Sequence, residues 1–269
     1  MTHPGLLAVV LASLAGVSPA LAADEVQEAP PPPGVPVDSG WTFTVAPYLW
    51  MAGLNGDVGL FGREPVPVDQ SFGDILDDLE FSGMVVGELH NGTWGVFADV
   101  IYVKTSADSE ITRMIGGVPV ELNAGLDTES LTVTLMGEYR VLSNDQTTVD
   151  LMAGARIWSV DNEISATLAA GGATVADFSG SDGDTWVDAI VGAKARVNLD
   201  AKWYLNGWGM IGGGGSDLTW DVLAGIGYQW NDRLSTTFGY RALGVDYEKD
   251  GFVYDVVQHG PVLGLVFRY

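Results

Sequence analysis

The chain has no cysteine, little basic charge and no long hydrophobic run. Without cysteine there is neither a disulfide framework nor a thiolate metal site. Three histidines, one of them His3 near the start, are too few for a multi-histidine metal site. Lys and Arg number 12 against 35 Asp and Glu, a net charge of −23. Nucleic acid, which needs a basic face, is excluded as a partner. The longest apolar run, Leu6 to Val17, is shorter than the roughly 20 residues of a spanning helix. Any crossing of a membrane must therefore be built from strands.

That run is followed by Ser18-Pro19 and Ala20-Leu21-Ala22, an A-x-A site, so residues 1–22 are expected to be a cleaved signal peptide. The segment before it carries no Lys or Arg, a departure from the usual pattern. Residues 23–40 hold Pro30 to Pro33 and Pro36 among acids and read as an extended linker. The domain is expected over 41–269.

Period-two alternation runs through that domain, the mark of strands with unlike faces. Val187, Ala189, Val191, Ala193, Ala195, Val197 and Leu199 oppose Trp186, Asp188, Ile190, Gly192, Lys194, Arg196 and Asn198. About ten strands are expected: 41–54, 81–90, 94–115, 118–141, 147–168, 172–199, 202–213, 216–230, 234–248 and 252–269. Eight or twelve stay open, because boundaries are the weakest part of such a reading. Connections at Asn91-Gly92-Thr93, 142–146, Asp200-Ala201 and 231–233 are short. Those at 55–80, around Gly116 and Gly171, at 212–215 and at 248–251 are expected to be long or ragged. Short turns at one end and long loops at the other fit an all-β, closed, antiparallel up-and-down transmembrane barrel with its short turns in the periplasm.

Aromatic placement favours this over a soluble calyx. Trp41, Trp94, Tyr139, Trp203, Tyr228, Trp230, Phe267 and Tyr269 lie on the apolar face at the short-turn end, like an interfacial girdle. Tyr102 and Trp220 form a second tier eight positions away, about 20 Å at ordinary rise and tilt. The polar face collects Glu88, Asp99, Glu138, Asp150, Asp188 and Asp221 with Arg140, Arg156, Lys194, Arg196, Arg241 and Arg268. These are the candidate lumen charges. Ten strands lie just above the number whose side chains can fill the interior, so the lumen is expected to be nearly closed at mid-height.

The last strand ends in Gly264, Phe267 and Tyr269 and resembles the C-terminal signature of bacterial outer-membrane barrels, which the assembly machinery reads. Residues 46–50 (APYLW), 72–81 (FGDILDDLEF) and 92–99 (GTWGVFAD) resemble a family of uncharacterised proteobacterial outer-membrane proteins. That resemblance covers about a quarter of the chain. It implies fold and location, and no activity.

Chemistry is sparse. Trp50, Trp158, Trp186 and Trp208 point inward toward the long-loop end, as a packed plug or as a platform for a sugar or apolar solute. Asp57, Glu64, Asp69, Asp74, Asp77, Asp78 and Glu80 fill the first long connection. Asp108, Glu110, Glu121, Asp127 and Glu129 flank the second, and Asp161, Glu163, Asp177, Asp182 and Asp184 the third. They make a solvated, repulsive exterior or a weak divalent-cation surface near lipopolysaccharide. Asp182-Gly183-Asp184 resembles a fragment of a calcium loop without its 12-residue pattern. Residues 74–81 suggest a helical turn, a lid or gate with Ile75, Leu76 and Leu79 on one face. His90 lies at the wrong end for a hydrolase and His259 faces outward, so no catalytic residue is named. No metal and no cofactor is expected. The expected partners are outer-membrane lipid, lipopolysaccharide and the assembly machinery. The function expected is structural or a narrow passive pore. Surface adhesion through the acidic loops is the alternative, and a barrel hydrolase the least favoured reading.

Overall fold

The computed structural model describes residues 40–269; the expected signal peptide and nearly all of the linker lie outside them. Among the described residues are twelve strands and one helix. The strands are β1 (Thr42–Trp50), β2 (Gly53–Gly59), β3 (Val66–Gln70), β4 (Leu79–His90), β5 (Trp94–Ile115), β6 (Val118–Ser143), β7 (Thr147–Ala170), β8 (Ala173–Asn198), β9 (Trp203–Gly214), β10 (Leu218–Gln229), β11 (Leu234–Lys249) and β12 (Phe252–Arg268). The helix, α1, spans Phe72–Asp77. β1 and β4 to β12 pair in chain order, and β1 pairs with β12, closing an antiparallel ring of ten. Closure removes the free edges that an open sheet would leave.

One chemical device repeats at the short-turn end. Asn91, Asn144, Asp200 and Asn231 each turn a side-chain oxygen onto the backbone N–H groups two and three residues on, at 2.7–3.0 Å. The side chain mimics a backbone turn, which is why Asn and Asp stand there. At the opposite end the connections expected to be ragged around Gly116, Gly171 and Asp250 are tight instead. The pairs Gly116-Gly117, Gly171-Gly172 and Asp250-Gly251 all have positive φ, between 52° and 88°, the geometry of two-residue hairpin turns. The strands simply continue to these tips.

The first expected strand, 41–54, is in fact two. β1 pairs with Val262–Arg268 and β2 with Val253–His259 of the same β12. They part at Met51-Ala52 because β12 carries Gly260 there. A Cβ at Gly260 would sit 2.0 Å from the Met51 carbonyl oxygen, so the chain crosses where no side chain stands. The 55–80 connection is likewise not a loop: β2 and β3 form a hairpin, followed by α1. Ser71 caps α1 in a reciprocal capping box with Asp74, which holds the Asp74 carboxyl below its ordinary range. α1 buries no residue and Leu76 is exposed, so it is not the lid. The β2–β3 hairpin takes that place: Leu54, Val58 and Leu60 pack on the interior cluster, and the Phe61 N–H reaches the Asp182 carboxylate on β8.

The wall is greasy outside and ionic within. Val187 and Val191 are 53% and 57% exposed, whereas Asp188 between them is 0% exposed. Leu135, Leu151, Leu205, Ile211, Val222, Phe238 and Leu265 are also exposed on the outer face. Trp94 lies against Tyr139, Trp203 against Tyr228, and Tyr228 against Trp230, with ring centroids 4.6–4.9 Å apart.

Candidate functional site

The interior is stacked in three layers. At the hairpin-tip end Trp50, Trp158 and Trp186 pack with Tyr247, Phe252 and Tyr254. Trp186 stacks on Tyr247 at 3.9 Å and on Trp158 at 5.9 Å. Leu243, Val245 and Val256 complete the plug. The three indoles are at most 5% exposed, so they offer no open platform to a solute. Trp208 is not among them. It lies on the other side of the next layer, where its Nε1–H donates to Asp221 at 3.0 Å and its edge meets Phe97. Parity put all four indoles inside. It could not separate their heights, because the strands are tilted and staggered.

The middle layer is a buried ion network. The Arg241 guanidinium donates to Asp221 at 2.7 and 3.1 Å, to Asp99 at 2.6 Å and to the Tyr48 hydroxyl at 2.8 Å. Tyr48 donates in turn to Asp99. Arg156 donates to Asp221 at 2.8 Å and to Thr134 and Thr219. Arg241 lies 5.1 Å from the Trp50 ring and 5.3 Å from Trp208, between one layer and the next. All four charged residues are 0–2% exposed. These two arginines meet these two aspartates, so the four charges balance and the arginine donors are used. Asp188, also sealed in, accepts from the Ser216 N–H at 2.7 Å.

The third layer lies toward the short turns. Lys194 donates to Glu138 at 2.6 Å and pairs with Glu88 at 2.7 Å. Arg140 grips Asp150 through two bonds of 2.8 and 3.0 Å. His90 is buried beside Asp150, with Nε2 at 3.7 Å, and its Nδ1 accepts from the Gly92 N–H. Gly95 makes room, since a Cβ there would stand 2.5 Å from the His90 ring and 2.8 Å from Glu138. Glu88, Lys194, Arg140, Asp150 and His90 themselves line a cavity of about 550 Å³, bounded at its inner end by Arg241, Tyr48, Trp208 and Leu223, and toward the turns by Arg196, Asn198 and Arg268. Arg196 lies 3.4 Å over the Tyr204 ring; Arg268 is exposed at the mouth. The twelve candidate lumen charges thus divide into a sealed set and a set around this cavity.

The acids of the expected loops sit mostly on paired strands. Asp182 and Asp184 belong to β8, and no calcium loop exists there: Asp182 accepts from Phe61 and Asp184 from the Tyr247 hydroxyl at 2.6 Å. Among the described residues no group of three or more His, Asp or Glu is placed to hold a metal ion. His259 is on the outside, between Tyr240 at 2.6 Å and Asn55 at 3.1 Å. Gly264 faces the cavity, and Tyr269 stacks on Phe43 across the closing seam.

No family model matches the chain, and no curated protein matches it, so the likeness of its 46–50, 72–81 and 92–99 segments to uncharacterised proteobacterial proteins rests on those motifs alone. Solved structures do match. The fold is similar to the outer membrane protease OmpT from Escherichia coli, with a TM-score of 0.51 at 9% identity, over 85% of this chain and 97% of that one. The chain has the fold of an outer-membrane β-barrel. The translocator domain of the autotransporter NalP from Neisseria meningitidis also matches, with a TM-score of 0.41 at 11% identity, over 84% and 88% of the chains. So does the attachment invasion locus protein Ail of Yersinia pestis, with a TM-score of 0.31 at 12% identity, over 86% and 99%. At these identities the likeness is one of fold alone.

Proposed function

We propose that this protein is an outer-membrane barrel closed to through-flow, which acts at the cell surface through the sheet that β5 to β8 raise above the ring. One observation carries the reading: the two faces of that sheet exchange character part-way up. From Trp94 to Tyr102 on β5 and from Leu131 to Tyr139 on β6 the outward face is apolar, nine residues in each strand. Nine to eleven residues is the length of a tilted strand that spans the hydrocarbon. Directly above, Lys104, Glu129 and Asp161 are paired neighbours on that same outward face. Beyond them the outward face carries Glu110, Glu121, Asp127, Glu163 and Asp177. The inward face carries Ile111, Leu122, Leu126, Ile164, Leu168 and Phe178. β4 leaves β5 at Thr105, and β9 leaves β8 at Asp188, so these four strands stand beyond their neighbours. Below the crossover the outside is built for lipid; above it the outside is built for water and for cations.

The sealed ion layer and aromatic plug support a structural and surface role over a pore. The cavity that opens toward the short turns favours a narrow pore as a second reading, from one end only. The protein is not an enzyme in this proposal: His90 is held beside Asp150 with its Nδ1 taken by the Gly92 N–H, and His259 is engaged by Tyr240 and Asn55 on the outside. Its partners are outer-membrane lipid, lipopolysaccharide, the assembly machinery and a basic ligand at the acidic sheet. Planar-bilayer recording tests the closure: the reading expects silence in about 1 M salt, and discrete conductance steps would overturn it. Binding of oligolysine to the folded protein tests the surface role. It should weaken with salt and vanish when Glu110, Glu121, Asp127 and Glu163 are changed to Lys; unchanged binding would refute it.

A further inference from the structure

Chain-wide, bases are scarce, and most of those inside the barrel have a carboxylate. Arg241 and Arg156 have Asp99 and Asp221, Arg140 has Asp150, and Lys194 has Glu88 and Glu138. Arg196 and Arg268 differ. Both line the cavity, and among the described residues neither has a carboxylate within ion-pair distance. Arg196 is held instead by neutral groups: the Tyr204 ring at 3.4 Å, and Asn198 Oδ1 and Gln229 Oε1, each at 3.2 Å from its nitrogens. Such partners fix the guanidinium in place without a direct ion pair; Glu88, the acid acting on it from across the cavity, is itself paired with Lys194. In a chain of net charge −23, two arginines without an ion-paired carboxylate at one mouth are a specific placement.

The rest of the wall says what else the ligand carries. Deeper than the arginines the cavity meets Phe97, Trp208 and Leu223, and its volume, about 550 Å³, falls within the range of small-molecule sites. The inner end is blind, since Arg241 is already engaged by Asp99, Asp221 and Tyr48. We propose that this cavity binds an amphiphilic organic anion, with its carboxylate or phosphate at Arg196 and Arg268 and its apolar body against Trp208, Phe97 and Leu223. A guanidinium suits either oxyanion because its fork donates two parallel bonds. The ligand enters from the short-turn end, which is the periplasmic end in the orientation proposed above. The site is therefore separate from the acidic sheet at the opposite end.

The test is calorimetric titration of the full mature protein in nanodiscs of zwitterionic lipid, with phenyl phosphate, benzyl alcohol and orthophosphate as probes. Phenyl phosphate should bind one to one and weaken with salt. Benzyl alcohol and orthophosphate should each bind at least about tenfold more weakly, the size of one lost charge-assisted bond or of the lost apolar contact. The double variant R196Q/R268Q should weaken phenyl phosphate by at least about tenfold. Leu223→Trp, which fills the deep end and leaves the charges in place, should abolish binding. Heat-modifiable migration on gels shows that both variants are folded. Absence of saturable phenyl phosphate binding overturns the proposal. So does equal affinity for benzyl alcohol, or full affinity in either folded variant. Orthophosphate binding as tightly as phenyl phosphate overturns the assignment of the apolar wall.

Discussion

Replacing Arg241 by Met tests whether the middle layer is a seal held by charge or a passive filling. The guanidinium makes four hydrogen bonds, to Asp221 twice, to Asp99 and to Tyr48. Without it, Asp99 and Asp221 face Arg156 alone, and one buried negative charge has no counter-ion. Breaking a buried pair from one side costs about 3–5 kcal/mol, because the partner is left charged and dry. Methionine restores much of the volume, so packing loss adds little. The second variant, R241M/D99N, removes the orphaned charge and restores neutrality, one Arg to one Asp. It should recover at least about 2 kcal/mol of the loss, since replacing both members of a buried pair is often close to neutral. Urea unfolding in lipid vesicles, followed by gel migration, reads both numbers. Bilayer recordings of R241M should stay silent, because Trp50, Trp158, Trp186 and Tyr247 still fill the level above. A loss below about 1 kcal/mol for R241M, or no recovery in the double variant, would refute the assignment of Arg241 as the layer's charge anchor.

Leu135→Arg places a charge on the outward face four residues above Tyr139, near mid-depth, and should cost about 2–4 kcal/mol in vesicle unfolding; a neutral result would argue against lipid there. Gly95→Ala drives a Cβ into the His90 ring and Glu138, and should destabilise by about 1–3 kcal/mol, with normal stability counting against the crowded packing. Asp184 stands above the end of β9, and the Tyr247 hydroxyl bond holds its carboxyl below the usual range. Its contribution is therefore present above the unfolded carboxylate pKa of about 3.9 and fades as pH falls through the lower folded value. Asp184→Asn should be less stable than the parent at about pH 6 and converge with it in strong acid; a gap independent of pH would point to a cause other than ionisation.

Most of the wall was legible from residues alone, because lipid and lumen impose opposite demands on alternate positions. A strand with Val187, Ala189 and Val191 on one side and Trp186, Asp188 and Ile190 on the other has only one way to face a bilayer. The Asn and Asp residues at 91, 144, 200 and 231 announced four turns for a local reason, their own backbone hydrogen bonds. The glycine pairs at 116 and 171 could have announced two more, and the signal for a tight hairpin was in plain view. What the alternation could not carry was height and neighbourhood. Parity says that Arg241, Arg196 and four tryptophans point inward. Only the tilt and stagger of the ring place Arg241 against Asp99, 142 positions away, set Trp208 below it and Trp158 above, and leave Arg196 without an ion-paired acid. The split of the first strand at Gly260 has the same origin, a backbone crossing that depends on two distant segments and on neither alone.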